Sequence, residues 1–374
     1  MLKDFVNMEG IKSRLVCLGQ ALIDQEAAKV AIPPQKDSDG FWFGGGNATV
    51  DSDGSLLLTG RYRNFGDSRT GVGAGQRGLE LAIFRAASPD GPWEKVHSLT
   101  KADLAVDGLE VVSIEGSGLV RKPDGNGYLL YVSTEKDRGY PEELHDFQKK
   151  GTGVWSIDCC EGKSLEDFQP GRFQQLLTTD LPMELHCKDP VPYANPDGSI
   201  SMIYCHHPYS WSSSNTGFAE LEDGGMKLKE RREFFIQRGT SWDVACTRVT
   251  EKLSLPKIGI LKDDPDLALY FYDGAECLRR LDESPHGVTR PRGWSCEEIG
   301  GLAFGLATGA GEVERLSMNL PLFTSPKGTG CSRYVSAVWT EDGLFAAWQQ
   351  SQDDLSQPLV SHFLPMEKVE EILA

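Results

Sequence analysis

The chain is 374 residues long, 39% hydrophobic and 25% charged, with 41 glycines and 20 prolines, a balance that suits a turn-rich globular protein and not a disordered one. Its formal net charge of −17 works against phosphate backbones and anionic lipid, which are gripped by clustered Lys and Arg, so neither nucleic acid nor membrane is an expected partner. The length allows two or three domains, but repeat-built all-β folds run this long as one, and no linker or low-complexity segment divides residues 1–374.

Lys3, Asp4, Glu9, Lys12 and Arg14 interrupt residues 1–20, leaving no apolar run of the kind a secretion signal needs. No stretch approaches the roughly 18 consecutive apolar residues of a membrane span. The next residues, 21–30, read as a short helix. Cysteines stand at Cys17, Cys159, Cys160, Cys187, Cys205, Cys246, Cys277, Cys296 and Cys331, an odd number mostly set in apolar runs. They read as buried thiols of a reducing compartment, the cytoplasm, and lack the paired spacing of a zinc site.

From residue 47 onward a unit recurs: an apolar segment, an Asp-Gly turn, then a second apolar segment of period-two character. Asn47-Ala48-Thr49-Val50 leads through Asp53-Gly54 into Leu56-Leu57-Leu58, and Gly118-Leu119-Val120 through Asp124-Gly125 into Tyr128-Leu129-Leu130-Tyr131-Val132. A third copy turns at Asp197-Gly198, a fourth and less regular one is read as turning at Asp273-Gly274, and a fifth turns at Asp342-Gly343. Asp-Gly suits these turns because both residues tolerate positive φ. Further strand-like segments follow several hairpins, so each unit reads as a blade and five units predict an all-β, five-bladed β-propeller. A β-sandwich is the competing architecture. Residues 366–373 read as a terminal helix.

The phrase Ser88-Pro89-Asp90-Gly91-Pro92-Trp93-Glu94 resembles the blade-closing phrase of five-bladed propeller glycosidases: the arabinanases and β-xylosidases, the invertases and levansucrases, and the mannoside phosphorylases. In that group acidic residues mark the channel end of each blade's first strand. Glu115, in Ser113-Ile114-Glu115-Gly116-Ser117-Gly118-Leu119, and Asp189, in Lys188-Asp189-Pro190-Val191, match that pattern, and Lys188-Asp189-Pro190 is similar to the Arg-Asp-Pro triplet of the invertase branch. The chain departs from the group at Gly44-Gly45-Gly46-Asn47, where Asn47 takes the place expected of the first blade's carboxylate. An amide is neither base nor nucleophile, so a base would come from elsewhere, with Asp67 or Asp243 as candidates.

Glycoside hydrolysis uses two carboxyl groups, one protonated and one ionised, and the catalytic candidates are Glu115, Asp189 and Asp243. Substrate contacts are expected from Asn47, from Arg61 and Arg63 as clamps, and from His206, His207 and Trp211 in His206-His207-Pro208-Tyr209-Ser210-Trp211. Trp242 beside Asp243, Glu297 or Glu298 in a glycine-flanked segment, and Arg333 at the start of the fifth blade complete the set. Each has a plainer role available as a turn cap, a surface charge or a blade-edge hydrogen bond. The run Gly71-Val72-Gly73-Ala74-Gly75-Gln76-Arg77-Gly78 has no βαβ context for a nucleotide. No cofactor is expected. A channel metal ion has no dedicated ligand motif.

The resemblance implies a glycoside hydrolase acting on a small glycoside or oligosaccharide. Phosphorolysis, with Arg61, Arg63 or Lys188 holding phosphate, is the nearest variant, and a non-catalytic sugar-binding or interaction propeller is the alternative from a different class. The sequence leaves the oligomeric state open.

Overall fold

The computed structural model describes residues 8–64, 78–276, 298–308 and 311–374. Helix α1 (Met8–Leu22) comes first, then strand β1 (Lys29–Ile32). Blade 1 is built from β2 (Trp42–Gly44), β3 (Ala48–Val50), β4 (Leu56–Arg63), β5 (Glu80–Ala86) and β6 (Glu94–Thr100), and blade 2 from β7 (Val111–Arg121), β8 (Tyr128–Lys136), β9 (Val154–Gly162) and β10 (Gln174–Leu177). Blade 3 comprises β11 (His186–Ala194), β12 (Ile200–His207), β13 (Asn215–Glu222) and β14 (Lys227–Ile236). Blade 4 has β15 (Cys246–Ser254), β16 (Leu267–Ala275), β17 (Ile299–Leu306) and β18 (Val313–Arg315). The last strands, β19 (Ser332–Trp339), β20 (Gly343–Gln350) and β21 (Leu359–Pro365), form blade 5, whose outermost strand is β1, and α2 (Met366–Leu373) follows.

Among the described residues the strands form five antiparallel sheets, the five blades of a propeller. The expected fold is therefore the one observed. The ring closes where Lys29 and Val30 pair with Ser361 and Val360, so the two ends of the described chain share one sheet.

Packing explains the sequence pattern. Apolar clusters lie between neighbouring blades: Leu57, Leu81 and Ile83 of blade 1 meet Leu119, Leu130 and Val132 of blade 2, and Ile203 and Phe218 of blade 3 meet Val249, Tyr270 and Ala303 of blade 4. The middle strands are covered on both faces, so β12 and β16 are buried along their whole length and read as apolar runs with little alternation. Ile11, Leu15, Leu18 and Leu22 of α1 recur at helical spacing and are buried with Val369 and Leu373 of α2 against blades 4 and 5. The expected helix at residues 21–30 is displaced: the helix ends at Leu22, and Lys29 and Val30 belong to β1. The charges at Glu9, Lys12 and Arg14 lie between the buried positions of α1. No helix of the described residues is long and apolar enough to cross a membrane.

Three of the five Asp-Gly pairs are turns between a blade's first two strands, with Gly54 at φ 83°, Gly125 at 75° and Gly198 at 83°. Gly343 opens β20 just after its turn. Asp273-Gly274 is different: both residues lie inside β16, paired with Arg248 and Thr247, and the blade's turn falls earlier.

Gly46 sits against β4 so closely that a Cβ would lie 2.1 Å from the Thr59 carbonyl oxygen. Because backbone cannot step aside as a side chain can, Gly46→Ala is expected to destabilise the fold by about 1–3 kcal/mol, read as a lower urea midpoint.

Candidate active site

Each blade's innermost strand breaks register at the same level of the channel. The breaks fall after Gly44 in blade 1, Ile114 in blade 2, Lys188 in blade 3, Val249 in blade 4 and Arg333 in blade 5. Such bulges re-aim side chains. The residues that follow directly are Gly45, Glu115, Asp189, Thr250 and Tyr334. Gly45, Asp189 and Tyr334 share left-handed backbone, at φ 72°, 52° and 53°. For a bulky residue such as tyrosine this conformation is rare and strained. It is held by hydrogen bonds: Tyr334 N donates to Asp273 Oδ2 at 3.0 Å and Asp189 N to Ser133 Oγ at 3.1 Å.

These bulges surround a network of charges. Arg248 Nη1 lies 3.3 Å from Asp189 Oδ2 and 3.0 Å from Glu298 Oε1, while Nη2 lies 2.7 Å from Asp273 Oδ2. Its guanidinium carbon is 4.0 Å from the centre of the Tyr334 ring, and the Tyr334 hydroxyl donates to Asp189 Oδ1 at 3.3 Å. Arg333 pairs with the other Glu298 oxygen. Arg61, its guanidinium 5.6 Å from the same Tyr334 ring, pairs with Glu115 and donates to the Gly44 carbonyl at 2.9 Å, and Lys188 Nζ stands 3.8 Å from Glu115 Oε2. The Glu115 and Glu298 side chains are 16% and 17% exposed, those of Asp189 and Asp273 only 3% and 1%. Glu115 and Glu298 are thus the members of this group that reach solvent.

The carboxyls fall into two kinds. Burial pushes Glu115 up, but Arg61, Lys188 and Arg63 outweigh it and hold its carboxyl well below the usual carboxylate range. For Glu298 burial is again outweighed, here by Arg248 and Arg333, and its carboxyl falls to about 2. Burial prevails at Asp273, pushed up to about 6 against the pull of Arg248 and with the push of Glu298. It prevails also at Glu251, pushed up to about 7.

Glu251 lies with Asn47, Ser117, Asp189 and Tyr334 around a recess inside the channel. Its Oε2 accepts from Ser336 Oγ at 2.6 Å and from Ala337 N at 3.3 Å, its Oε1 from Lys252 N at 2.9 Å, so it ties blade 4 to blade 5.

Asn47 plays a similar part between blades 1 and 2. Its Nδ2 donates to the Leu119 carbonyl at 2.9 Å while its Oδ1 accepts from Leu119 N at 2.8 Å, so the side-chain amide imitates a β-bridge. Asn47 thus holds blades 1 and 2 together, and the residue at the first blade's register break is Gly45, where an added Cβ would lie 3.1 Å from the Arg61 guanidinium.

The structure brings Glu115, Asp189, Arg61, Glu298 and Arg333 to the channel. Arg63 joins them at the rim, its guanidinium 4.3 Å from the Trp42 ring, with Arg333 4.5 Å from that same ring. His207 and Trp211 flank Lys188: the rings of His207 and Trp211 are 4.5 Å apart, and Lys188 Nζ is 5.6 Å from Trp211. Other candidates are placed elsewhere. Asp243 is fully buried in an ion pair with Arg315 of β18, 2.8 Å from its Nε, because blade 4 opens at Cys246 and not at Asp243. Trp242 is buried, stacked on Tyr272 with its Nε1 donating to the Ser317 carbonyl at 2.8 Å. His206 faces the other side of β12 from His207 and pairs with the Glu233 carbonyl at 2.8 Å. Glu297 and Asp67 lie outside the described residues, as does most of the glycine run 71–78. Among the described residues no three His, Cys, Asp or Glu side chains converge as metal ligands.

Sequence reasoning missed Arg248, Asp273, Tyr334 and Glu251. A usable signal was the basic residue early in each of the last three innermost strands: Lys188, Arg248 and Arg333.

No family model matches the chain, and no curated protein matches it in sequence. Solved structures do match in fold. A β-xylosidase superposes with a TM-score of 0.55 at 10% identity, covering 91% of this chain and 95% of its own. The GH43_1 enzyme of Xanthomonas citri complexed with xylose gives 0.51 at 12% identity, over 94% and 92%. The endo-arabinase of Bacteroides thetaiotaomicron gives 0.51 at 10% identity, over 90% and 97%. The fold is that of the arabinanase and xylosidase five-bladed propellers.

Two measurements test this geometry. Asn47→Asp removes the donor to the Leu119 carbonyl, and it is expected to cost about 1–3 kcal/mol of stability in urea unfolding near neutral pH. For Glu251 the folded state keeps a proton that the unfolded chain releases above its ordinary value of 4.5, so its penalty is absent below that pH and complete above about 7. Wild type is therefore expected to lose roughly 3 kcal/mol relative to Glu251→Gln as pH rises through that window, and a pH-independent difference would refute the assignment.

Proposed function

We propose that the chain is a glycoside hydrolase acting on a small glycoside or oligosaccharide at the mouth of the central channel. The observation that supports this reading is that carboxyls of opposite protonation tendency, contributed by different blades, converge on one axis. Glu115 is held ionised by Arg61 and Lys188, as a base or nucleophile must be. In blades 3 and 4 Asp189, Asp273 and Glu298 share Arg248, and at Asp273 burial, helped by the Glu298 charge, favours the protonated form. Asp273, pushed up to about 6, is the proton reserve of that group, and Glu298 is the member that reaches solvent. Trp211, half-buried at the rim and stacked on His186 by one face, is the ring nearest Lys188 that a sugar could meet. The xylose complex of the Xanthomonas citri enzyme makes pentosides the first substrates to try.

Two observations favour a second reading, a propeller that binds sugar without cleaving it. Gly45 leaves the first blade without a side chain at its bulge. Both carboxylates that reach solvent are held ionised by arginines, so neither serves as an acid until substrate changes its surroundings.

The deciding experiment is hydrolysis of nitrophenyl α- and β-glycosides, furanosides included, with and without phosphate. Wild type is compared with Glu115→Gln, Asp189→Asn and Glu298→Gln, each checked for folding by circular dichroism. Cleavage of one glycoside that falls at least about a hundredfold in Glu115→Gln is expected. Dependence on phosphate would mark phosphorolysis. Sugar binding by calorimetry without turnover would establish the second reading, and cleavage that survives all three substitutions would place the chemistry elsewhere.

A further inference from the structure

We propose that Lys188 recognises an oxyanion carried by the sugar itself, so that acidic sugars, uronates or sugar phosphates, are the preferred ligands of the channel mouth. The proposal rests on the glycoside reading above only in placing a sugar there, and adds to it that sugar's charge.

The Lys188 ammonium is fixed in place by contacts that leave its donors unused. Its side chain is 11% exposed, and its Nζ lies 4.6 Å from the centre of the Trp155 ring and 5.6 Å from that of Trp211. Two tryptophans, one from β9 of blade 2 and one from the turn after β12, thus flank the charge, as aromatic rings and long cationic stems commonly combine. Glu115 Oε2, 3.8 Å away, is the one carboxylate within ion-pair distance among the described residues, and it stands beyond hydrogen-bond reach. Among those residues Lys188 Nζ donates no hydrogen bond. An ammonium carries three N–H donors, and a charge set so far inside protein for structural reasons alone would be expected to use them.

Charge selects the kind of acceptor. Glu115 is acted on by Arg61, Lys188 and Arg63, which together outweigh its burial, and Arg61 supplies the hydrogen bond to it. Lys188 acts on that carboxylate through space only, and its donors are not needed to hold it. The aromatic groups around Trp211 bring no compensating charge. His186 is stacked on that ring at 4.1 Å between centres and His207 lies at 4.5 Å. Burial and then the Lys188 charge push His186 down to about 3 and His207 well below its ordinary value, so both are neutral near pH 7. Asp189, next to Lys188 in the chain, turns instead to Arg248 and the Tyr334 hydroxyl. Three cations therefore bear on a single carboxylate at this corner, in a chain whose formal net charge is −17. Hydroxyls of a neutral sugar would occupy the Lys188 donors and leave the charge uncompensated. An oxyanion on the sugar meets both demands.

Calorimetric titration of the full chain with glucuronate, glucose 6-phosphate, glucose and inorganic phosphate tests the assignment without turnover. At least one acidic sugar is expected to bind about tenfold tighter than glucose, with the preference shrinking as salt is added. Lys188→Gln is expected to abolish the preference and Lys188→Arg, which keeps the charge, to retain most of it. Should Lys188→Gln not fold, the salt series on wild type and the Lys188→Arg titration decide. Absence of the preference, its insensitivity to salt, or its survival in Lys188→Gln would overturn the proposal. Inorganic phosphate binding as tightly as either acidic sugar would overturn it too, because the anion would then be a separate molecule, as in phosphorolysis. Cleavage of neutral pentosides without any preference for acidic sugars upholds the glycoside reading and sinks this one, whereas acid-selective binding that depends on Lys188 supports this one even where no glycoside is cleaved.

Discussion

The guanidinium of Arg248 meets Asp189 of blade 3, Asp273 of its own blade and Glu298 along its edge, and the Tyr334 ring of blade 5 across its face. A buried cation needs this many partners because each charge removed from water must be compensated where it lies. The strained backbone at Asp189 and Tyr334 follows from the same requirement. Asp273 holds the Tyr334 amide as well as Arg248, so the bulge that aims the ring and the charge beneath it are parts of one arrangement.

Around that centre the propeller uses side chains where a continuous sheet would use backbone. Among the described residues, innermost strands of neighbouring blades share isolated backbone bonds, such as Ser117 N to the Gly45 carbonyl at 2.9 Å, and no ladder. Asn47 bridges to Leu119, Glu251 to Ser336 and Ala337, and Thr216 to Thr247 and Val249. Polar residues in the channel are therefore divided between holding blades together and facing solvent, and residue type alone does not separate the two. A carboxylate such as Glu251 and an amide such as Asn47 do the same structural task.

That division explains what was legible in the sequence. The blades were, because Asp53-Gly54, Asp124-Gly125 and Asp197-Gly198 are local turns whose backbone demands are met by those two residues alone. Glu115 and Asp189 were singled out by the likeness of their short motifs to those of the propeller glycosidases, and both do follow register breaks in innermost strands. Asp273-Gly274 has the same two letters, yet it sits inside β16 opposite Arg248, so a motif defined locally concealed a carboxylate defined by what crosses the channel. Asp243 failed for the converse reason: its position before an apolar run suggested the start of a strand that begins three residues later, at Cys246. The partner that buries it, Arg315, is 72 residues away in the chain. The helix at Met8–Leu22 was hidden by its charges, which sit on the face that its buried leucines leave free.

The closing pairing of β1 with β21 has a kinetic meaning. Residues 29 and 361 must meet before the ring is complete, a contact of very long range in the chain, and such contacts form late because loop closure costs entropy before it is rewarded. The seam lies at the outer edge of blade 5, but closing it sets blade 5 beside blade 1, and these two carry Arg333 and Tyr334, and Gly45 and Arg61. A nascent chain can stack blades 1 to 4 on the ribosome, but the ring of charges around Arg248 is incomplete until the last blade arrives. Assembly of the site and closure of the ring are thus one event, and a chain stalled short of β19 holds Arg248 and its carboxylates without the ring that covers them.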